Sequence, residues 1–247
     1  MKSALRSIRR NVLAAIFCAT MLASQLGTAA DGTYSIYLDC QGDLEVVDQI
    51  VKTKMAPVYD AAVEEGLISR WGWGAHHTGG AMDRFIFITA ESPLAAVKAQ
   101  EALYARTNGE EWTEANAQWR EVCSDHVDYV WEAVDSNGAG VAKVWLSGYH
   151  VCNTSSEEQL DALHKNTMAP ILNKLVEQGS LQSWSWHAHS IGGQYRRLGT
   201  MAAKDIDALL TASNQFYDEL AKIEESAKYG DFCSSHQDYI WMDGLSD

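Results

Sequence analysis

The chain has little positive charge. Its 247 residues include 19 Lys and Arg against 33 Asp and Glu. Such a balance repels phosphate backbones and anionic lipid, and argues against nucleic-acid binding. None of the cysteines is spaced as C-x-x-C. That argues against a zinc ribbon, a thioredoxin-type redox pair or c-type haem attachment. After the N-terminal segment no apolar run approaches the length of a membrane span. The chain also lacks a nucleophile elbow, a P-loop, a dinucleotide-binding fingerprint and a His-Glu-x-x-His motif.

What the N-terminus does contain is a targeting pattern. Lys2, Arg6, Arg9 and Arg10 precede the apolar run "VLAAIFCATMLA", and the small residues "GTAA" close it. This predicts a signal peptide over residues 1–30, cleaved after Ala29 or Ala30, and a periplasmic or secreted product. Phe17 before Cys18 does not resemble a lipoprotein cleavage site. Removing four of the 19 basic residues leaves 15 against 33 acidic ones, a formal net charge of −18. Cys40, Cys123, Cys152 and Cys233 remain. An even count in an exported chain reads as two disulfides, and counting leaves three connectivities open.

The chain is written twice. "KMAPVYDAAVEEGLISRWGWGAHHTGG" from Lys54 aligns without a gap to "TMAPILNKLVEQGSLQSWSWHAHSIGG" from Thr167, an offset of 113. "CSDHVDYVW" (123–131) realigns with "CSSHQDYIW" (233–241) at an offset of 110. Between the copies, "DSNGAG" (135–140) has the composition of a linker. The predicted units are 31–137 and 138–247.

Both copies predict the same order of elements. A strand ("TYSIYLD", then "AKVWLSGYHV") leads into a helix, with Asp43 as N-cap in copy one and Ser155 with Glu158 as a capping box in copy two. Pro57 and Pro170 should kink or break that helix, and Gly66 and Gly179 suit its end. Strands follow near 68–77 and 181–190, then Gly-Gly turns and strands near 83–90 and 196–203. A second helix and the C-S-x-H-x-D-Y-x-W strand complete each unit. Strand–helix–strand–strand–helix–strand is the ferredoxin-like βαββαβ unit. Two of them resemble the tandem members of the dimeric α/β-barrel superfamily: an α+β fold with two facing sheets and the helices outside. The resemblance rests on element order and duplication. Cofactor-free monooxygenases, isomerases, haem proteins and plain binding modules share that architecture, so it implies no single chemistry.

A ferredoxin-like sheet has strand order 4-1-3-2. The resemblance therefore implies the pairings Cys40–Cys123 and Cys152–Cys233, one per repeat. It also implies which candidates can meet. His126 and Asp128 share one face of strand four, as do His236 and Asp238, while Tyr129/Trp131 and Tyr239/Trp241 share the other. Each His-x-Asp pair suits a base with its orienting acid, or part of a metal site. If strand two of each repeat met strand four of the other antiparallel, His76 would join His236 and Asp238, and His189 would join His126 and Asp128. Two histidines and a carboxylate suit a divalent metal such as non-haem iron, zinc or copper. Trp71, Trp73, Trp184 and Trp186 could wall a cavity for a small-molecule ligand, although helix–sheet core is the commoner use. Arg84 and Arg197 could clamp its carboxylate. His77 and His187 lack counterparts, and His150 and His164, present in copy two alone, are assigned no role. The expectation is a protein that binds a small ligand or metal between its two sheets. An enzyme using the His/Asp pairs and a partner-binding module are the alternatives.

Overall fold

The first half supplies strands β1 (Gly32–Asp39), β2 (Arg70–Gly79), β3 (Arg84–Ala90) and β4 (Asp125–Gly138). The second supplies β5 (Val144–Cys152), β6 (Ser183–Ile191), β7 (Arg197–Ala203) and β8 (Cys233–Asp243). The computed structural model describes residues 31–139 and 142–245, so the expected signal peptide lies outside the described residues. Each half has the order 4-1-3-2, and the halves join edge to edge through β2–β8 and β4–β6. The result is a closed antiparallel barrel, β1-β3-β2-β8-β5-β7-β6-β4. Closure pairs all four outer edges, which would otherwise be exposed to aberrant pairing. "DSNGAG" is less of a linker than its composition suggests: β4 runs on to Gly138, with Asp135–Gly138 paired to β6.

Repeat one carries helices α1 (Leu44–Ile50), α2 (Ala56–Glu64), α3 (Pro93–Arg106) and α4 (Thr113–Val122). Repeat two carries α5 (Glu157–Leu163), α6 (Ala169–Glu177), α7 (Ile206–Leu220) and the short α8 (Tyr229–Phe232). Asp43 caps α1 by accepting from the Glu45 amide. The Ser155–Glu158 box does not form; Asn153 accepts from the Ser155 amide and starts a 3-10 turn ahead of α5. The α winding is interrupted ahead of each proline. A π turn (Val51–Met55, His164–Met168) precedes each one, and an α segment resumes with Pro57 or Pro170 in its first turn. Proline has no N–H to give to the carbonyl four residues back, and its ring crowds that carbonyl; a widened turn takes up the mismatch. Gly66 and Gly179 follow at φ +73 and +74, the left-handed region that glycine enters without strain.

Three layers of packing result. Two separate cores bury each repeat's helices on the outer face of its own sheet. A third fills the barrel with Tyr37, Phe85, Tyr129, Trp131, Tyr149, Leu198, Tyr239 and Trp241. The Tyr and Trp of the duplicated strand point into it, stacked at 4.9 Å in both copies. Each tyrosine is seated by the other repeat's glycine pair: a Cβ at Gly80 would meet the Tyr239 hydroxyl, and one at Gly192 or Gly193 would meet Tyr129. Disulfides join Cys40 to Cys123 and Cys152 to Cys233, across separations of 83 and 81 residues. In the chain-entropy account loops of that length are worth about 4.5 kcal/mol each.

Candidate functional site

Strand β4 divides the duplicated phrase between two environments. With Tyr129 and Trp131 inside the barrel, alternation puts His126 and Asp128 on the outer face, beneath the helices of repeat one. Pairing with β1 sets Leu38 beside His126 and Ile36 beside Asp128. Tyr34 stands two residues further along that face. Its hydroxyl donates to Asp128 Oδ2 at 2.8 Å, while His126 Nδ1 lies 2.7 Å from Asp128 Oδ1. An ionised carboxylate only accepts, so the shared proton is on Nδ1 and the lone pair is left on Nε2. Burial, followed by the bond to Asp128 and its charge, pushes the Tyr34 hydroxyl up to about 12. Tyr34 therefore keeps its proton at neutral pH and holds the carboxylate in place.

These three residues line a cavity of about 650 Å³ between sheet and helices. Ile36, Leu38 and Ile86 complete its floor, and Tyr59, Tyr104 and Trp119 on α2, α3 and α4 contribute to its walls. Its size and apolar surface with a few convergent polar groups are those of a small-molecule site. The charged side chains of its lining are Glu101, Arg120 and Asp128.

Repeat two keeps the pair but not the setting. His236 Nε2 lies 3.2 Å from Asp238 Oδ2. Counted back from the matching cysteines, Leu146 stands where repeat one has Tyr34, and His150 stands where it has Leu38. The His150 ring fills the space over the sheet, 5.7 Å from that of His236 and 5.6 Å from those of Trp186 and Tyr229. Burial, helped by His236 and His164, lowers His150 to about 3, so it is neutral. Burial also raises Asp238, against the opposing pull of His236.

The other expected groupings are not found. β2 does pair antiparallel with β8, and β6 with β4, but the register sets His76 opposite Trp241 and His189 opposite Trp131. Both rings lie inside the barrel against those tryptophans and their stacked tyrosines. The sheet wall therefore separates His76 from His236 and Asp238, and His189 from His126 and Asp128. Among the described residues no group of three His, Cys, Asp or Glu could hold a metal ion.

The tryptophans and arginines meet the protein itself. Trp73, Trp184 and Trp186 are buried in the helix–sheet cores, with Trp71 packed at the edge. Arg84 forks onto both oxygens of Asp48, which also accepts from Trp73 Nε1. Arg197, Asp161 and Trp186 repeat this motif. Trp71 donates to Asp60 and Trp184 to Asn173. These residues stitch the first helical stretch of each repeat to its second and third strands, and the Arg84 and Arg197 guanidinium groups, each already on a carboxylate, are not left for a ligand. The space between the sheets, where a ligand was expected, is likewise taken by rings. Two residues given no role now matter: Tyr34, which completes the acid–base chain, and His150, which fills the second copy. Counting outward from each disulfide along the paired strands would have found both.

No protein-family model matches this sequence, and no curated protein does. Solved structures do. A monooxygenase-like protein of Lactobacillus acidophilus superimposes with a TM-score of 0.56 at 8% identity, covering 87% of this chain and 94% of that one. A chlorite dismutase of Candidatus Nitrospira defluvii gives 0.54 at 8% identity, covering 88% and 93%. A heme-binding protein of Thermus thermophilus gives 0.50 at 10% identity, covering 87% and 92%. The fold is the dimeric α/β barrel. At such identities the likeness carries to the architecture and no further. Among the described residues no helix of this α/β barrel is long and apolar enough to cross a membrane.

Proposed function

We propose that this chain acts outside the cytosol, binding a small, largely apolar ligand in the repeat-one cavity and using His126 as a proton-transfer base. The observation that carries the reading is Asp128: one carboxylate accepts from both Tyr34 and His126 on the floor of that cavity. Asp128 sets the tautomer, leaves Nε2 basic and stabilises the imidazolium once a proton is taken. Tyr34 occupies the second oxygen and keeps the carboxylate from turning away. Forming a carbanion or enolate is a first step for isomerisation and for direct reaction with dioxygen. The second of these agrees with the monooxygenase-like neighbour. The basic-then-apolar N-terminus and the disulfides support export.

The heme-binding neighbour raises a second ligand class. His126 is the one histidine of the lining, but Glu101 and Asp128 face a single Arg120 there. That charge set suits the two propionates of a haem poorly, so no step is assigned to one.

Enolisable phenols and ketones, incubated with the mature protein in aerated heavy water, test the base. Deuterium uptake or oxygen consumption is expected for the unmodified protein and for His236→Ala. A loss of roughly 100-fold or more is expected for His126→Ala. Turnover undiminished in His126→Ala would remove the assignment.

A further inference from the structure

We propose that the ligand is a carboxylate, held by Arg120, and that each chain binds one. This rests on the reading of the repeat-one cavity as the functional site and adds the ligand's charge, its anchor and its stoichiometry.

Arg120, in the last turn of α4, lines the cavity and makes no hydrogen bond or ion pair with any described residue. The chain has 33 acidic residues for 19 basic ones. Arg84, Arg106, Arg196 and Arg197 each hold a carboxylate. Arg70, also without a carboxylate, donates to Thr89 Oγ1 and lies over the Phe87 ring; Arg120 has neither kind of partner and stands at a cavity. A guanidinium is planar and always charged, with paired donors matched to a carboxylate. Asp128, the carboxylate on the cavity floor, is already occupied by Tyr34 and His126. Among the charged groups of the lining, Arg120 is the cation left for an incoming anion.

Comparison of the two copies adds an independent observation. By the offset of the closing strand, Gly230 stands where repeat one has Arg120, and Tyr229 where it has Trp119. The arginine is absent in the copy where His150 and Tyr229 pack together over the His/Asp pair. A residue holding the helix to the sheet would be needed in both copies, as Arg84 and Arg197 are. Arg120 instead goes with the open cavity. A bound carboxylate has its apolar body beside the cavity's aromatic rings, with His126 on the same lining.

Calorimetric titration of the full mature chain with 2-naphthoate and with neutral 2-naphthalenemethanol tests this. One naphthoate per chain is expected, bound roughly 10- to 100-fold more tightly than the alcohol, as for a hydrogen bond to a charged group. Arg120→Gln should abolish that preference and leave the alcohol's affinity unchanged, with Arg120→Lys between. Arg120 is exposed, so neither variant should disturb folding. Equal affinity for the two probes, a preference that survives Arg120→Gln, or two sites per chain would overturn the proposal while the cavity reading stands. Binding of neither probe would remove both.

Discussion

His187 should make this protein lose stability in mild acid, because its burial disfavours the charged imidazole. It sits on β6 and points into the barrel, 7% exposed, with Nε2 2.8 Å from Ser185 Oγ and Nδ1 buried without a partner. Its counterpart in repeat one is Gly74, where the Phe85 ring takes the space a side chain would need. Burial, and then the charge of Arg70, lowers His187 from 6.5 to about 4. The unfolded chain therefore takes up this proton at higher pH than the folded one. Stability is full above about pH 6.5 and falls as pH drops towards 4. At about pH 4.5 the two values give a loss of roughly 2–3 kcal/mol from this residue alone. His150 and His164, lowered to about 3 and about 4, act in the same direction. Their effect, like that of the carboxylates, cancels when the protein is compared with His187→Leu. Urea unfolding of both at about pH 7.5 and pH 4.5 should show the variant gaining roughly 2–3 kcal/mol on the unmodified chain as pH falls. A difference that does not change with pH would refute the burial argument.

Two further expectations concern the frame. Asp48→Ala strands the Arg84 guanidinium, whereas Asp161→Ala leaves Arg197 with Glu157 at 3.4 Å. The first should cost about 3–5 kcal/mol and the second less, read by denaturant midpoints. Gly192→Ala places a Cβ 2.4 Å from the Tyr129 ring at φ +141. It should lower the thermal midpoint by more than about 4 °C, and an unchanged midpoint would argue against the glycine seat.

The sequence by itself determined the duplication, the order of strands and helices, and, through that order, both disulfides. These follow from periodicity and from residues with few conformational options, Gly66 and Gly179, together with the cap at Asp43. It also showed that His126 and Asp128 share a face opposite Tyr129 and Trp131, because alternation along a strand is local. What it left open was register and side. His76 and His236 were assigned to one site because strands two and four of opposite repeats do pair. How far β2 slides along β8 is set by aromatic packing inside the barrel, between residues that are distant in the chain. The sequence also made the repeats look equivalent. Tertiary structure separated them, since Leu146 and His150 in place of Tyr34 and Leu38 change little in a strand pattern. In the folded chain those two exchanges, with Gly230 for Arg120, leave an acid–base chain at an open cavity in one copy and packed rings in the other. A one-dimensional pattern records which residues share a face; whether the space above that face is filled depends on helices packed from elsewhere.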